Sequence, residues 1–372
     1  TRPGVPITLG AFCVQDYEYQ TSPKIWAFPN NEANLLKTSD FTGIMGSLPI
    51  LSNILGKEKE SQRIISTYTV NIDEKCNRAF TIDTGVISFF GLIPLVIQKP
   101  AILVYDLSAS GCVDRNFKLI RRVEIPDSFA SILPAGILYM TIDFQSDNCD
   151  DIFIYITNVY ANYLAVFDYK NIDFWIFKDH PSFLPDITQS FITDGDMIGV
   201  PISLGVVSVA LGYPDENGDR QAYYMPSTGT EVFVVSTKIL KDKSKAKDKN
   251  FHNDVKLLGY RGKNSQVSKT AVDYTHGVIF FLEYQANRIR CWNMRKPFVE
   301  SNLGVSYQSP TPLYGMMIFI DSQGYMWFSK SRTGKIVGSN LHLSPNEENS
   351  VIYRIRVEDA IKGTVCENYT NE

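Results

Sequence analysis

Histidine is scarce in this chain. Only four occur in 372 residues: His180, His252, His276 and His342. None stands at a metal-binding spacing such as H-x-H or H-E-x-x-H, so no metal centre is expected, and no cofactor. His276 falls in the turn Asp273-Tyr274-Thr275-His276-Gly277, and all four read as ordinary surface histidines. No C-x-x-C pair is present, which removes the usual structural zinc site. No G-x-S-x-G elbow occurs. NILGKEKES (53–61) lacks both the first glycine and the K-[ST] ending of a phosphate-binding loop. No acid–base pair is readable, so the chain reads as more a non-enzyme than an enzyme.

Basic residues are not in excess. Lys and Arg number 36 against 40 Asp and Glu, a net charge of −4, which argues against a nucleic-acid partner. An uninterrupted apolar run is also missing. VISFFGLIPLVIQKPAILVY (86–105) has membrane-spanning length, but Pro94, Gln98, Lys99 and Pro100 break it, so it reads as two strands and a turn. The opening TRPGVPITLG has no basic start followed by an apolar run. Either a leader and further residues have been removed upstream, or the sequence is a fragment of a longer chain.

Aromatics are abundant, with 22 Phe and 20 Tyr, which favours strands. One unit recurs: a polar or acidic turn, then an aromatic-rich strand. It appears as IDEKCNRAFTIDTG (72–85), SDNCDDIFIYITN (146–158), YPDENGDRQAYYMP (213–226), VDYTHGVIFFLEY (272–284) and IDSQGYMWFSKS (320–331). A second strand follows each: AILVYDLS, YLAVFDYKN, EVFVVSTK, RIRCWNM and VIYRIRVED. Regularly spaced antiparallel pairs are the pattern of a β-propeller. PITLGAFCV (6–14) supplies a sixth second strand without its partner. The expectation is an all-β, six-bladed propeller forming one domain over residues 1–372. Its first blade is incomplete at the N-terminus, which leaves an open seam.

Two segments have competing readings. Asp215, Asn217 and Asp219 in PDENGDR resemble the start of a calcium loop, but the glycine is misplaced and Pro226 stands where the twelfth-position Glu is needed. A tight turn is the better reading. KILKDKSKAKDKN (238–250) holds six lysines and two aspartates and reads as a solvated, mobile loop, with an anion- or membrane-surface patch as the alternative. The six scattered cysteines fit disulfides in an oxidising compartment, and Asn368-Tyr369-Thr370 is a glycosylation sequon, which together point to secretion.

RPGVPITL, SPKIWAFPN (22–30), DEKCNRAFTIDTG (73–85), AILVYDL (101–107), CDDIFIYITN (149–158), RCWNM (290–294) and GTVCEN (363–368) occur in an order and spacing that resemble the yellow / major royal jelly protein family of insects. The resemblance implies a secreted six-bladed propeller. The family includes pigmentation, cuticle, eggshell and royal jelly proteins, amine-binding salivary proteins, and members proposed to convert dopachrome. It further implies that Cys76 pairs with Cys149 and Cys291 with Cys366, the latter anchoring the tail 358–372. Cys13 and Cys112 then either bridge each other or pair with cysteines outside this sequence.

In amine-binding relatives the mouth of the central channel is lined partly from the last-blade segment, with an Asn near the ligand. The resemblance places Ser331 at that Asn position, with Lys330 before it, and follows Tyr314-Gly315 with Met316-Met317. The ligand-binding set it implies is Tyr314, Met316, Lys330 and Ser331. A lysine there would repel a protonated amine. The expected function is therefore a secreted, non-enzymatic structural or interaction role in an extracellular matrix such as cuticle or eggshell, or in pigmentation, with a protein partner. The alternatives are binding of a small aromatic amine in the channel, and conversion of dopachrome.

Overall fold

A computed structural model of the chain describes residues 7–14, 23–34, 62–89, 93–108, 117–130, 136–190, 203–311, 313–315, 317–332, 346 and 348–367. The fold is an all-β propeller with five blades among those residues. The chain divides into two compact units, Thr1–Leu138 and Tyr139–Glu372.

The first unit holds one four-stranded blade and two short pairs. Strands β1 (Gly10–Ala11) and β2 (Trp26–Ala27) pair antiparallel where the sequence pattern predicted a lone second strand. The blade runs β3 (Thr67–Asp73), β4 (Arg78–Asp83), β7 (Ala101–Asp106), β8 (Lys118–Glu124), all antiparallel. Between β4 and β7 an extra hairpin is inserted, β5 (Val86–Phe89) with β6 (Ile93–Val96). The stretch 86–105 is thus a hairpin followed by a blade strand, rather than two strands and a turn. Pro94 cannot donate a ladder bond, which is tolerated because β6 pairs only with β5. Gly85 begins the hairpin at φ +67, and a Cβ there would lie 2.0 Å from the Gln98 carbonyl oxygen, so only glycine fits. Phe28, Ile64, Ala79, Leu103 and Tyr105 form this unit's core, with Phe28 edge-on to Tyr105 at 5.2 Å.

The second unit holds four blades. They are β9 (Ile137–Phe144) to β12 (Asp173–Phe177) with β10 (Ile152–Asn158) and β11 (Tyr163–Asp168) between, and β13 (Val206–Leu211), β14 (Gln221–Pro226), β15 (Glu231–Ser236), β16 (Lys256–Tyr260). Then come β17 (Val267–Asp273), β18 (Val278–Glu283), β19 (Arg288–Asn293), β20 (Leu303–Gln308), and a three-stranded blade β21 (Ile318–Ile320), β22 (Tyr325–Ser331), β23 (Ser350–Arg356). The repeats read from the sequence are the second and third strands of each blade.

In the second unit the first strands of successive blades adjoin one another. β13 packs beside β17, and β17 beside β21. Hydroxyls stitch neighbouring blades: Thr141 donates to the Val209 carbonyl at 2.8 Å, Thr157 to that of Val207 at 2.8 Å, and Ser208 bonds Thr270 at 2.7 Å. Apolar faces fill the spaces between sheets. Tyr155, Leu164, Trp175, Val209 and Tyr224 form one layer, and Phe280, Ile289, Ile318, Met326 and Phe328 another. Each fully buried side chain of this kind contributes about 1.5–3 kcal/mol. A blade buried on both faces loses alternation, so all six residues of β18 (VIFFLE) are buried.

The acidic turns of the repeat have a common geometry. Asp73 accepts from the Cys76 N–H at 3.0 Å, and Asp273 from the His276 N–H at 2.7 Å; the next residues, Asn77 and Gly277, take positive φ. Asp215 accepts from the N–H groups of Asn217 and Asp219, which is a turn and not a cation loop.

The lysine-rich run departs from the mobile loop expected of it. It forms a helix, Thr237–Lys241, and a 3-10 turn, Lys245–Lys247. Leu240 and Phe251 sink into the core, and the Trp175 indole donates to the Leu240 carbonyl at 2.8 Å. Lys241, Lys243 and Lys245 pair with Asp219, Asp173 and Asp248. No described helix is long and apolar enough to cross a membrane.

Candidate functional site

Several residues converge where the inner strands of the second unit begin. The Ser331 hydroxyl donates to the Tyr314 carbonyl at 2.7 Å, and the Ser268 hydroxyl to the next carbonyl, Gly315, at 2.6 Å. A side chain at 315 would put its Cβ 2.1 Å from the Ser329 carbonyl oxygen, so glycine lets the two backbones approach. Lys330 donates to the Thr311 hydroxyl. Tyr314, Ser331 and Lys330 thus share one corner of the last blade, tied to the start of β17 through Ser268. Met316 lies outside the described residues.

Lys269, one residue further along β17, is the group the sequence reading missed. Its Nζ sits 5.4 Å from the centre of the Tyr139 ring, on the innermost strand of another blade. Its side chain keeps part of its surface accessible, yet protein surrounds it and desolvation lowers its pKa to about 8. Burial disfavours the charged form of an amine, so the lowered pKa reflects the protein packed around this side chain. Tyr139 beneath it is almost fully buried, and burial pushes its hydroxyl up. The available signal was a lone lysine among the small and apolar residues of VSKTAVD.

The other charged groups on or beside the inner strands are committed. On β9, Asp143 accepts from Tyr155 at 2.9 Å and Arg220 at 3.0 Å; burial raises its pKa against those two partners. On β17, Asp273 also accepts from the His276 ring at 2.8 Å. Behind β17, Glu283 holds Arg288 at 2.7 Å and Arg290 at 2.6 Å, and Arg261 lies fully buried, its pKa lowered by desolvation to about 10. In the first unit Asp83 accepts from the Ile65, Ser66 and Gly85 N–H groups and from Gln98; burial outweighs these bonds and raises its pKa.

One histidine departs from the surface reading, while His252 is exposed and His276 partly exposed. His180 is buried, stacked on His252 at 4.6 Å, and hydrogen-bonded to Ser182 at 2.6 Å. Burial, then the neighbouring His252, lowers its pKa. His342 lies outside the described residues. No group of three or more metal-ligating side chains occurs among the described residues.

Cys291 and Cys366 form a disulfide, as the resemblance implied, with Cα atoms 6.1 Å apart. Cys366 follows the helix Val357–Ile361, and its carbonyl accepts from Asn293 at 3.2 Å, so the tail is anchored to β19. Cys13, Cys76 and Cys149 are also disulfide-bonded. Cys112 and Asn368 lie outside the described residues.

A family model described as Major royal jelly protein matches residues 65–366. The yellow-related salivary protein SP03 of Phlebotomus perniciosus is 34% identical over 316 residues, covering 84% of this chain and 77% of that protein. The yellow-related salivary protein ASP4 of Phlebotomus orientalis is 34% identical over 323 residues, covering 86% and 78%. L-dopachrome tautomerase yellow-f of Drosophila melanogaster is 29% identical over 367 residues, covering 98% and 77%. Matched over most of its length in sequence, and built as an all-β propeller, the chain belongs to the major royal jelly protein family, the yellow family.

Proposed function

We propose that this chain is an extracellular, non-enzymatic binding protein that takes a small aromatic ligand where the inner strands of its second unit begin. The observation that carries this reading is Lys269, accessible yet enclosed, beside the ring of Tyr139. Small-molecule sites are mostly apolar with a few placed polar groups, and a partly accessible ammonium on a strand of small and apolar residues suits a ligand with one polar group. Tyr314, Met316, Lys330 and Ser331 complete the proposed set. The salivary naming of the relatives and the Cys291–Cys366 bridge support an extracellular location. The pairs Cys76–Cys149 and Cys13–Cys112, glycosylation at Asn368, and a single six-bladed domain with an incomplete first blade belong to the same reading.

A second reading, a matrix or partner-binding role, has its own observation. One face of the last blade carries a ladder of rings and guanidinium groups. Phe319 stacks on Trp327, Arg354 lies over Trp327 and Tyr325, and Arg356 over Tyr325 at 4.5 Å. Such residues are enriched at protein interfaces. A protein partner would cover a face of this kind.

Calorimetric titration of the folded protein with serotonin, dopamine, noradrenaline, histamine and 4-hydroxyphenylacetate tests the choice. Saturable heat with any of them supports the ligand reading. No heat with all five removes it and leaves the partner role.

A further inference from the structure

Among the described charged residues of the four inner strands of the second unit, Asp143 and Asp273 stand at the strand ends and have their own partners. Lys269 stands near the opposite end, close to the start of β17. Its ammonium makes no hydrogen bond or ion pair to a described residue; the Tyr139 ring is its one recorded partner. The hydroxyls along the same strands do not compensate it. Thr141, Ser268 and the Ser208–Thr270 pair are bonded to backbone or to each other.

An ammonium has three protons to donate, and a ring face satisfies part of one side only. Leaving such a charge half-desolvated is unfavourable unless something completes it. We propose that Lys269 is the anchor of a site selective for a small arylalkyl carboxylate, its ammonium pairing with the carboxylate on the side away from the Tyr139 ring. This inference rests on the ligand reading above and adds the sign of the ligand's charge. A carboxylate would receive the unused protons in charge-assisted bonds, which gain strength where water is excluded. A protonated amine of the same shape would meet a like charge. Lys269, more than the exposed-side Lys330 engaged with Thr311, is then what sets this chain against cationic ligands.

The experiment compares two ligands of matched shape and opposite charge, 4-hydroxyphenylacetate and tyramine, by titration calorimetry at pH 7 on the wild-type chain and on Lys269→Met. The expected result is that the wild type binds the acid at least tenfold more tightly than the amine, and that Lys269→Met abolishes this preference. A wild-type preference for tyramine, or a preference for the acid that survives in Lys269→Met, overturns the inference while the ligand reading stands. Binding of neither molecule, when another aromatic ligand does bind, overturns the inference alone. Binding of no aromatic ligand overturns both. The wild-type comparison needs no variant, and Lys269→Gln replaces Lys269→Met should the latter not fold.

Discussion

The hydroxyl of Ser331 donates to the carbonyl oxygen of Tyr314 at 2.7 Å, joining the end of β22 to the chain that leads into β21. Ser268 makes the equivalent bond to the neighbouring carbonyl, Gly315. Removing either hydroxyl leaves a carbonyl with one acceptor bond fewer. We predict that Ser331→Ala and Ser268→Ala each lose about 0.5–1.5 kcal/mol. Because the two bonds grip adjacent carbonyls, the double variant should depart from additivity. Urea unfolding of the three variants measures this; unchanged midpoints would mean that these bonds do not hold the corner.

Lys269 titrates with an unusual sign. Desolvation lowers its pKa from 10.5 to about 8. The unfolded chain therefore binds more protons between about pH 8 and 10.5, and folding is opposed while the group must stay charged. The penalty is complete below pH 8 and is relieved as pH rises through that window. Lys269→Met should be the more stable protein at pH 7, with the difference shrinking towards pH 10. A difference in unfolding free energy that is flat across this range would show that the ammonium is well solvated.

Glu283 is fully buried and binds two guanidinium groups. Replacing it by Gln strands Arg290, itself buried, beside the desolvated Arg261. Breaking a buried pair on one side costs about 3–5 kcal/mol. Glu283→Gln should therefore show that loss in chemical denaturation, and a loss under 1 kcal/mol would mean that water reaches the cluster.

The Cys291–Cys366 bridge closes a loop with a sequence separation of 75. Loop-entropy arguments give about 4–5 kcal/mol for a closure of this size, before strain. The double variant Cys291→Ser, Cys366→Ser should melt lower and release its tail to proteases. Equal melting temperatures for the variant and the oxidised wild type would refute the anchoring role.

Much of this fold could be read from its hairpins. Asp73 with Asn77 and Asp273 with Gly277 write the same turn into the sequence, because a carboxylate that accepts a nearby N–H and a residue that tolerates positive φ are both local requirements. Lys269 was harder to see. The register shifts between Val267 and Lys269, and such a shift reassigns the face each residue takes. The lysine-rich run misled for another reason. Its composition is that of a solvated loop, but Leu240 and Phe251 bind it to the core, and only the three-dimensional structure brings Asp173 and Asp219 to its lysines. Likewise His180 looks superficial in DHPSF until Phe183 and Phe251 close around it.

The stitching of inner strands has a consequence for how the chain acquires its structure. Each hairpin closes through neighbours in sequence, and each hydroxyl bond listens only to the blade beside it, so order can spread along the chain from wherever it first appears. The bridge at Cys291 is the exception, since it waits for a residue at the far end of the last blade. The final blade should therefore be the last to become protected during refolding, and the oxidant, not the collapse of the chain, should set when that happens. Pulsed hydrogen exchange on reduced protein, with and without oxidant, would show this as a delay confined to β21–β23 and the tail.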